Sequence, residues 1–403
     1  MTAPATTTEE SEQVDAAIEA VLASGDVSTM SAVEFRGQQF DHGLAWVHFD
    51  EGHGGLGVAP RLQTRVESAF RAAGAPSQDP STFFLALAGP TIHTHASEAN
   101  KVRFLRPMFT GTDRWCQLFS EPGAGSDFAG LGTKAVLDGD EWLVNGQKVW
   151  NTMAHLSDWG MLVTRSNPEL PKHKGMTYFA LAMKSHGVEV RPLRQITGEA
   201  EFNEVYMTDV RVPDADRIGD VGDGWRVSLT TLMNERSAIG SGGASKRGSG
   251  AIATAVEGWK QAPAHHKTAD ALDRLTQLWI RAETLRLTNM RASQNRQKGN
   301  PGPEMSVAKL AMASLNQDIM EFAVDIQGPY GQVGADYTYR RPEELSVSGV
   351  ENGVQHAFLR VRANSIEGGT SEIMRNIVGE QVLGLPGEPR VDKLIPWSEV
   401  PRS

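Results

Sequence analysis

Apolar positions along the chain change their spacing twice. Up to about residue 111 they recur at intervals of three and four residues, as at Val14, Ile18 and Val21, which predicts amphipathic helices. Glycine and proline interrupt this stretch, so the pattern indicates several helices joined by short loops. Residues 1–111 are therefore predicted to form an N-terminal helical domain.

Short apolar and β-branched runs replace the helical spacing between residues 112 and 223. Asn145-Gly146 lies between the apolar runs 142–144 and 149–150, which predicts a two-residue hairpin turn. Asp138-Gly139-Asp140 predicts a second turn just before it. Strands this short and this frequent predict an antiparallel sandwich or barrel as the middle domain.

Helical spacing returns after residue 224 and continues to about residue 385. The longest helical stretches cover residues 271–290 and 303–326, and a proline-containing tail follows. Helical and strand regions that follow one another, rather than alternate, predict an α+β protein with segregated domains. Residues 224–403 are expected to form the C-terminal helical domain and its tail.

Composition narrows the class of protein. The formal net charge is −10, which argues against nucleic acid and against a polybasic membrane surface as partners. No apolar run reaches the roughly 18 residues that a membrane helix needs, and the N-terminus lacks the features of a signal peptide. Cys116 is the single cysteine, which excludes an intrachain disulfide. We expect a cytoplasmic protein.

Residues 118–130, LFSEPGAGSDFAG, form the first segment suited to chemistry. Gly123 and Gly125 leave backbone N–H groups unobstructed, and Ser120 and Ser126 add hydroxyl groups. Such a loop can approach a phosphate or a planar ring closely. On composition alone, a tight turn between domains is the stronger interpretation.

The second segment is residues 146–152, GQKVWNT. On a strand, Trp150 and Thr152 would face the same side, because side chains alternate with a period of two. An indole beside a hydroxyl could form one wall of a flavin site. The alternative is a core tryptophan with a threonine at the surface.

The third segment is residues 229–239, LTTLMNERSAI. Glu235 has apolar neighbours at Leu232 and Ile239 on the same helical face, and Arg236 follows it. Burial disfavours a carboxylate's charge and so makes it a stronger base near neutral pH. The alternative is an exposed carboxylate on a solvated helix face.

The fourth segment is residues 365–372, SIEGGTSE. Its two glycines allow close backbone contact with a ligand, while Thr370 or Ser371 could be the N-cap of a helix that has Glu372 in its first turn. Both interpretations hold together, because helix N-termini bind anions. Histidines 93, 95, 265 and 266 lack the spacing of a complete ligand set, so no metal is expected.

In this order, the four segments resemble the acyl-CoA dehydrogenase family over about residues 40–386. SEPGAGSD and GTSEI-x-RN are the most specific parts of the match. The resemblance implies FAD as cofactor, an acyl-CoA substrate and transfer of electrons to an electron-transfer flavoprotein. It also implies that the C-terminal domain is a four-helix bundle and that the chain forms a homo-oligomer, usually a tetramer.

The resemblance also implies the site residues. Cofactor contacts are expected from Phe119, Ser120, Gly125, Trp150, Thr152, Gly328, Thr370 and Glu372, with Gly328 at the adenosine half of an FAD shared with a neighbouring subunit. Substrate contacts are expected from Ser126, at the pantetheine arm, and from Arg236 and Gly368.

The catalytic base departs from the commonest family pattern. Most members have a glutamate directly before the Gly-Thr of the last motif, where this chain has Gly368, and Glu367 stands one residue early. A minority, including isovaleryl- and long-chain-type members, carry the base on the first bundle helix, directly before an arginine. Glu235-Arg236 matches that pattern, so Glu235 is the expected base.

A second departure concerns the subunit interface. Many members have an Arg-x-x-Phe-Gly stretch that reaches a neighbour's FAD, and this chain lacks it around residues 258–274, where Arg274 or Lys267 could substitute. The alternatives are therefore a flavoprotein subunit that needs a partner chain, an oxidase or monooxygenase on the same scaffold, or, most distantly, a DNA-associated relative. The sequence leaves the acyl group open, from short branched to long or steroid-like.

Overall fold

The computed structural model describes the chain except for residues 1–6, 77–83, 242–245, 298–303, 335, 337, 344–348 and 402–403. For residues 236–241, 296, 297 and 305 it describes the backbone only. Contacts divide the chain into two units. The sheet unit comprises residues up to 193, residues 201–234 and residues 390–403, and the bundle unit comprises residues 194–200 and 235–389.

Helices form the N-terminal part of the sheet unit, as the apolar spacing predicts. They are α1 (Thr8–Ala23), α2 (Ala32–Asp41), α3 (Gln63–Ala72), α4 (Leu85–His95) and α5 (Glu98–Thr110). A capping box between Thr7 and Glu10 begins α1, and its apolar face buries Val14, Ile18 and Val21. This face packs into a core with residues of the following helices.

The strands of the same unit are β1 (Trp115–Leu118), β2 (Lys134–Asp138), β3 (Glu141–Lys148), β4 (Trp159–Arg165), β5 (Met176–Ala182), β6 (Val188–Pro192), β7 (Asn203–Pro213) and β8 (Arg217–Ile218). They form one sheet in the order β6-β7-β3-β2-β4-β5-β8, with β1 paired to β4. Most pairs are antiparallel, as expected, but β1 and β2 each pair with β4 in parallel. The sheet core includes Trp142, Phe179 and Val205.

One of the two turns predicted from the sequence is wrong. The chain reverses at Gly139, which has a φ of 68° and joins β2 to β3, so the second prediction is confirmed. Asn145-Gly146 instead lies inside β3, where the register to β7 shifts between Val144 and Gly146. A Cβ on Gly146 would come within 2.4 Å of Thr133 Oγ1, so the glycine serves a bulge and close packing rather than a turn.

The bundle unit is helical. Its main helices are α6 (Gly224–Ser241, from residue 235), α7 (Ala251–Gln261), α8 (Ala269–Gln297), α9 (Glu304–Asp325), α10 (Val354–Arg360) and α11 (Ser371–Ile377). The two longest, α8 and α9, match the stretches predicted from the sequence. The unit's core includes Ile252, Leu278 and Phe322. Among the described residues, no helix combines the length and apolar composition of a membrane span.

Candidate functional site

The segment after β1 begins in the interior of the sheet unit. The Phe119 ring is 4% exposed, stacks on Phe128 at a centroid distance of 4.9 Å and meets the edge of Tyr178 at 5.9 Å. The next residue, Ser120, is partly exposed, and its carbonyl accepts a hydrogen bond of 2.9 Å from the Val149 amide. The first two segments singled out from the sequence are therefore neighbours in space.

A buried ion pair strengthens this junction. Lys148 Nζ donates to Glu121 Oε1 at 2.8 Å and to the Phe119 carbonyl at 3.1 Å. Glu121 also accepts from the amides of Gly132 and Thr133 at 2.7 and 2.9 Å. Burial alone would raise the pKa of Glu121, but Lys148 and these donors hold it below its ordinary value. Burial lowers the pKa of Lys148 in spite of its attraction to Glu121.

The loop that follows presents open backbone. Gly123 and Gly125 have nothing within 4 Å of the position where a Cβ would stand, and Ser126 is exposed. Reciprocal hydrogen bonds of 3.0 Å between the backbones of Glu121 and Ala124 fix the turn that begins the loop. The loop is thus a fixed turn with accessible amide and hydroxyl groups, the arrangement that the sequence predicts.

Trp150 and Thr152 do not lie on a strand, so the basis on which they were expected to face one side is wrong. β3 ends at Lys148, and Trp150 has a φ of 62°. A bulky residue in the left-handed region is strained, and such strain is often found at ligand sites. The indole is 57% exposed and touches Phe202 edge-on at 5.9 Å. A large exposed aromatic on a strained backbone is what a planar cofactor could cover.

Hydroxyl groups anchor the first half of α6 in the sheet unit. Thr231 Oγ1 lies 2.9 Å from Thr91 Oγ1 and 3.2 Å from the Tyr178 hydroxyl, and all three residues are buried. Burial raises the pKa of Tyr178, so its hydroxyl remains protonated and able to donate. Glu235, the expected base, follows Thr231 by about one helical turn.

In the bundle unit, Glu367 has strong partners. Arg360 is 2% exposed and bonds both carboxylate oxygens of Glu367, at 3.2 and 2.9 Å. The Asn364 side-chain amide donates to the same carboxylate at 2.7 Å. A bidentate guanidinium contact of this kind stabilises the charged carboxylate and fixes its orientation. Glu367 is therefore a structural anion that holds the turn before α11.

Lys309 supports the same turn from α9. Its side chain is buried, and Nζ donates to the carbonyl of Asn364 at 2.9 Å and to that of Gly369 at 2.5 Å. Burial lowers the pKa of Lys309, while the charges of Glu367, Glu235 and Glu372 oppose that shift. The half-buried Glu235 is therefore close enough for its charge to act on this ammonium group.

The fourth segment forms the helix start that its sequence predicts. Gly368 and Gly369 have φ angles of 62° and 94°, a region open to glycine at no steric cost. Thr370 is the N-cap of α11, with Oγ1 accepting from the Ile373 amide at 3.1 Å. Glu372 lies exposed in the first turn. The arrangement leaves Gly368, Thr370 and Glu372 at one helix terminus.

Gly328 lies apart from this turn, at the edge of a groove in the bundle unit. The groove has a volume of about 820 Å³ and is lined by His265, His266, Tyr330 and Gln355, among others. A Cβ on Gly328 would stand 2.5 Å from the His266 ring, so only glycine fits there. Tyr330, 78% exposed beside the groove, offers an aromatic face to a planar ligand.

The two residues considered as replacements for the missing Arg-x-x-Phe-Gly stretch have partners within the bundle. Arg274 pairs with Asp325 at 2.7 Å and lies over the Phe322 ring. Lys267 donates to the Lys260 carbonyl at 3.0 Å. The side chain of Arg236, an expected substrate contact, lies outside the described residues.

A histidine cluster not expected from the sequence lies in the N-terminal helices. One ligand atom each from Asp50, His53 and His93 lies within 4.8 Å of the other two. Protein groups already engage both rings: Glu98 Oε1 lies 2.5 Å from His53 Nε2, and the Asp50 amide donates to His93 Nε2 at 3.2 Å. The expectation that the protein uses no metal stays a prediction.

Three regions, helices, then a sheet, then a helical bundle, with two glycine-rich turns that leave backbone amides open, define a cofactor-binding oxidoreductase scaffold. The family description "Acyl-CoA dehydrogenase, middle domain" matches residues 116–210, and "Acyl-CoA dehydrogenase, C-terminal domain" matches residues 222–383. Acyl-CoA dehydrogenase IpdE1 of Mycobacterium tuberculosis is 37% identical over 354 residues, covering 86% of each chain.

Two further comparisons extend this likeness. Acyl-CoA dehydrogenase FadE34 of the same organism is 36% identical over 347 residues, which are 86% of this chain but 45% of that one, so the chain spans about half the length of that relative. The solved structure titled "Tcur3481-Tcur3483 steroid ACAD" has the same fold, with a TM-score of 0.70 and 22% identity over 95% of this chain and 99% of that one.

The chain belongs to the acyl-CoA dehydrogenase family, and it is an FAD-dependent oxidoreductase. The residues present fit a flavin, because Trp150 offers an exposed ring on a strained backbone and the Gly123–Gly125 turn faces open space.

Sequence reasoning missed the buried cations that hold these turns in place. Lys148 and Lys309 were read as parts of a strand and a helix, although each is a lone charge within an otherwise apolar stretch. A lysine at a core position of an amphipathic pattern is the signal that could have identified both.

Proposed function

We propose that the chain removes hydrogen across the α,β-carbon bond of an acyl-CoA thioester, giving the trans-2-enoyl-CoA, with Glu235 as the base. The observation that carries the choice of base is the state of the competing carboxylate. Glu367 is bound by Arg360 and Asn364, and protonation would cost it those bonds. Glu235 lies half-buried on α6, where the Lys309 ammonium favours its charged form.

The proposed roles follow the two turns. Glu235 takes the α-proton, and Ser126 contacts the pantetheine arm of the substrate. Phe119, Ser120, Gly125, Trp150 and Thr152 would hold the flavin ring end of FAD, Thr370 and Glu372 would meet it at the start of α11, and Gly328 would contact the adenosine half. When FAD is bound, it supplies the acceptor for the hydride that leaves the β-carbon.

The chain's own groups have two further tasks in this proposal. Backbone amides at the glycine turns are placed to stabilise negative charge, such as the charge that develops on the thioester oxygen as the α-proton leaves. Buried aromatic groups around Phe119 keep water out of the interior beside the site. The two electrons then pass to an electron-transfer flavoprotein, and the enzyme acts as a dimer or tetramer.

The test is a visible absorbance spectrum of the purified chain under anaerobic conditions, before and after addition of acyl-CoA thioesters. The panel includes short branched, long straight and steroid side-chain thioesters. We expect a yellow protein whose flavin absorbance bleaches with at least one of them. A yellow protein that bleaches with none would contradict the proposed reaction.

A second candidate is a subunit that completes its FAD sites only with a different chain of the same family. Three observations favour it: the missing Arg-x-x-Phe-Gly stretch, the relative of about twice this chain's length, and the structure whose title names two components. Measuring FAD content and mass of the chain alone separates the candidates. A colourless chain that gains FAD only with a partner chain would support the second.

A further inference from the structure

The C-terminal tail lies along the sheet unit beside the glycine-rich loop. We define the strap as residues 391–399. Its backbone pairs with the segment before Lys172, because the Trp397 amide donates to the Leu170 carbonyl at 3.0 Å and the Ser398 amide to the Pro168 carbonyl at 2.9 Å. Pro171 and Pro396 form an isolated β-bridge at the same place. The strap is therefore fixed to the fold by its main chain.

Trp397 connects the strap to the far end of the loop. Its indole Nε1 donates to the Gly130 carbonyl at 3.1 Å, and the buried Arg165 guanidinium lies over its ring at 4.9 Å from the centroid. Arg165 also donates to the carbonyls of Ala129 and Leu131. One ring and one cation thus hold the main chain of residues 129–131.

Asp392 connects the strap to the near end of the loop through Lys172. Lys172 is 8% exposed, and its ammonium lies 2.8 Å from Asp127 Oδ1 and 2.5 Å from Asp392 Oδ2. Burial disfavours the ammonium, but hydrogen bonds to the two carboxylates raise the pKa of Lys172 overall. The cation therefore stays charged and joins the strap to Asp127.

The residues between these two anchors belong to the segment already assigned to ligand binding. Asp127 directly follows Ser126, and Phe128 stacks on Phe119. The Gly130 amide donates to the Asp127 carbonyl at 2.8 Å, which closes the loop into one turn. Holding Asp127 and Gly130 from outside therefore limits the motion of Ser126 as well.

We propose that the strap positions the loop of residues 126–130 for acyl-CoA, with Asp392 and Trp397 as its positioning residues. This inference rests on the proposed function, because Ser126 is given there as the contact for the pantetheine arm. A loop that is ordered before binding spares the substrate the entropy cost of ordering it, so the strap lowers KM for the acyl-CoA. The strap touches no reacting atom and leaves the chemical step to the site itself.

The first experiment reads the loop without any substrate. Hydrogen–deuterium exchange is measured on the FAD-loaded protein for wild type, Asp392→Asn and Trp397→Leu, with Glu399→Gln as the matched control. Glu399 is exposed in the same strap, so its variant changes charge without touching the loop. We expect faster exchange in peptides covering residues 122–131 in the first two variants only. Unchanged exchange there would overturn the proposal.

The second experiment separates positioning from general damage to the fold. We expect KM for the acyl-CoA to rise roughly two- to tenfold in Asp392→Asn and Trp397→Leu, the scale of one hydrogen bond, with kcat and FAD content unchanged. Trp397→Phe keeps the ring over Arg165 and should recover part of the loss. Faster exchange with an unchanged KM would overturn the role in substrate binding.

These two readings also distinguish this inference from the proposed function. If no acyl-CoA bleaches the wild-type flavin, the proposed reaction fails, while the exchange data still decide whether the strap orders the loop. If wild type is active and the strap variants match it in both measurements, the strap inference fails alone.

Discussion

Lys148 Nζ lies 2.8 Å from Glu121 Oε1, and this buried pair ties the strand before Trp150 to the loop before Ser126. Lys148 is fully buried and the Glu121 side chain is 12% exposed. Burial disfavours both charges, and each pKa shift shows it: Lys148 is lowered, and Glu121 is kept low only by its partners. Such a pair adds little net stability, but removing one partner leaves an uncompensated buried charge.

Replacing Lys148 by methionine should therefore destabilise the protein strongly. We expect a loss of about 3–5 kcal/mol, because Glu121 would remain buried with its amide donors alone. Urea unfolding of the FAD-free protein measures the change. The double variant Lys148→Met with Glu121→Gln should recover part of it, and Lys134→Met, at an exposed position on β2, should cost little. Equal midpoints for Lys148→Met and Lys134→Met would contradict the argument.

The same pair predicts how stability depends on acid pH. A carboxylate whose pKa is lower in the folded than in the unfolded state stabilises the fold above its unfolded value, and that contribution disappears as pH falls through the folded value. The pKa of Glu121 is lowered from an ordinary 4.5, so its contribution should be complete above that pH and decline below it. Urea midpoints at several values between about pH 6 and pH 3 follow the decline. The Glu121→Gln variant lacks this titration and should show a shallower slope; identical slopes would argue against it.

The two candidate bases should give opposite results when each is replaced by glutamine. Glu235→Gln should bind FAD and unfold near the wild-type midpoint, but its flavin should not be reduced by acyl-CoA, because no group takes the α-proton. Glu367→Gln should still be reduced, yet it should lose roughly 3–5 kcal/mol of stability, since Arg360 is left buried without its carboxylate. Stopped-flow bleaching and urea unfolding measure the two properties. Normal reduction in Glu235→Gln, or abolished reduction in a well-folded Glu367→Gln, would reverse the assignment.

Cys116 should be inert in the folded protein. Burial raises the pKa of its thiol to about 12, against a small opposing effect from Ser157, so the reactive thiolate is scarce at neutral pH. We expect no reaction with an aromatic disulfide reagent in buffer and one equivalent of reaction in concentrated urea, followed by absorbance. Labelling at the same rate in both conditions would show that the thiol is accessible in the native state.

The sequence by itself determined the class of fold and the segments that carry chemistry. Helical spacing and β-branched runs placed the helical, sheet and helical regions in the right order, because burying one face of a helix or strand demands that spacing. The GGTSE segment predicted an N-cap at Thr370, which the structure confirms, because a cap depends only on neighbouring residues. Local rules therefore carried local conclusions.

Tertiary structure alone decided the features that depend on residues far apart in the chain. Asn145-Gly146 has the composition of a turn, but pairing with β7 makes it part of a strand, and β3 ends before Trp150. The partner of Glu367 stands seven residues away and that of Lys172 more than two hundred, and no pattern of spacing predicts either ion pair. Register, burial and the pairing of charges are set by the whole packed chain, because each depends on which distant groups exclude water from the same place.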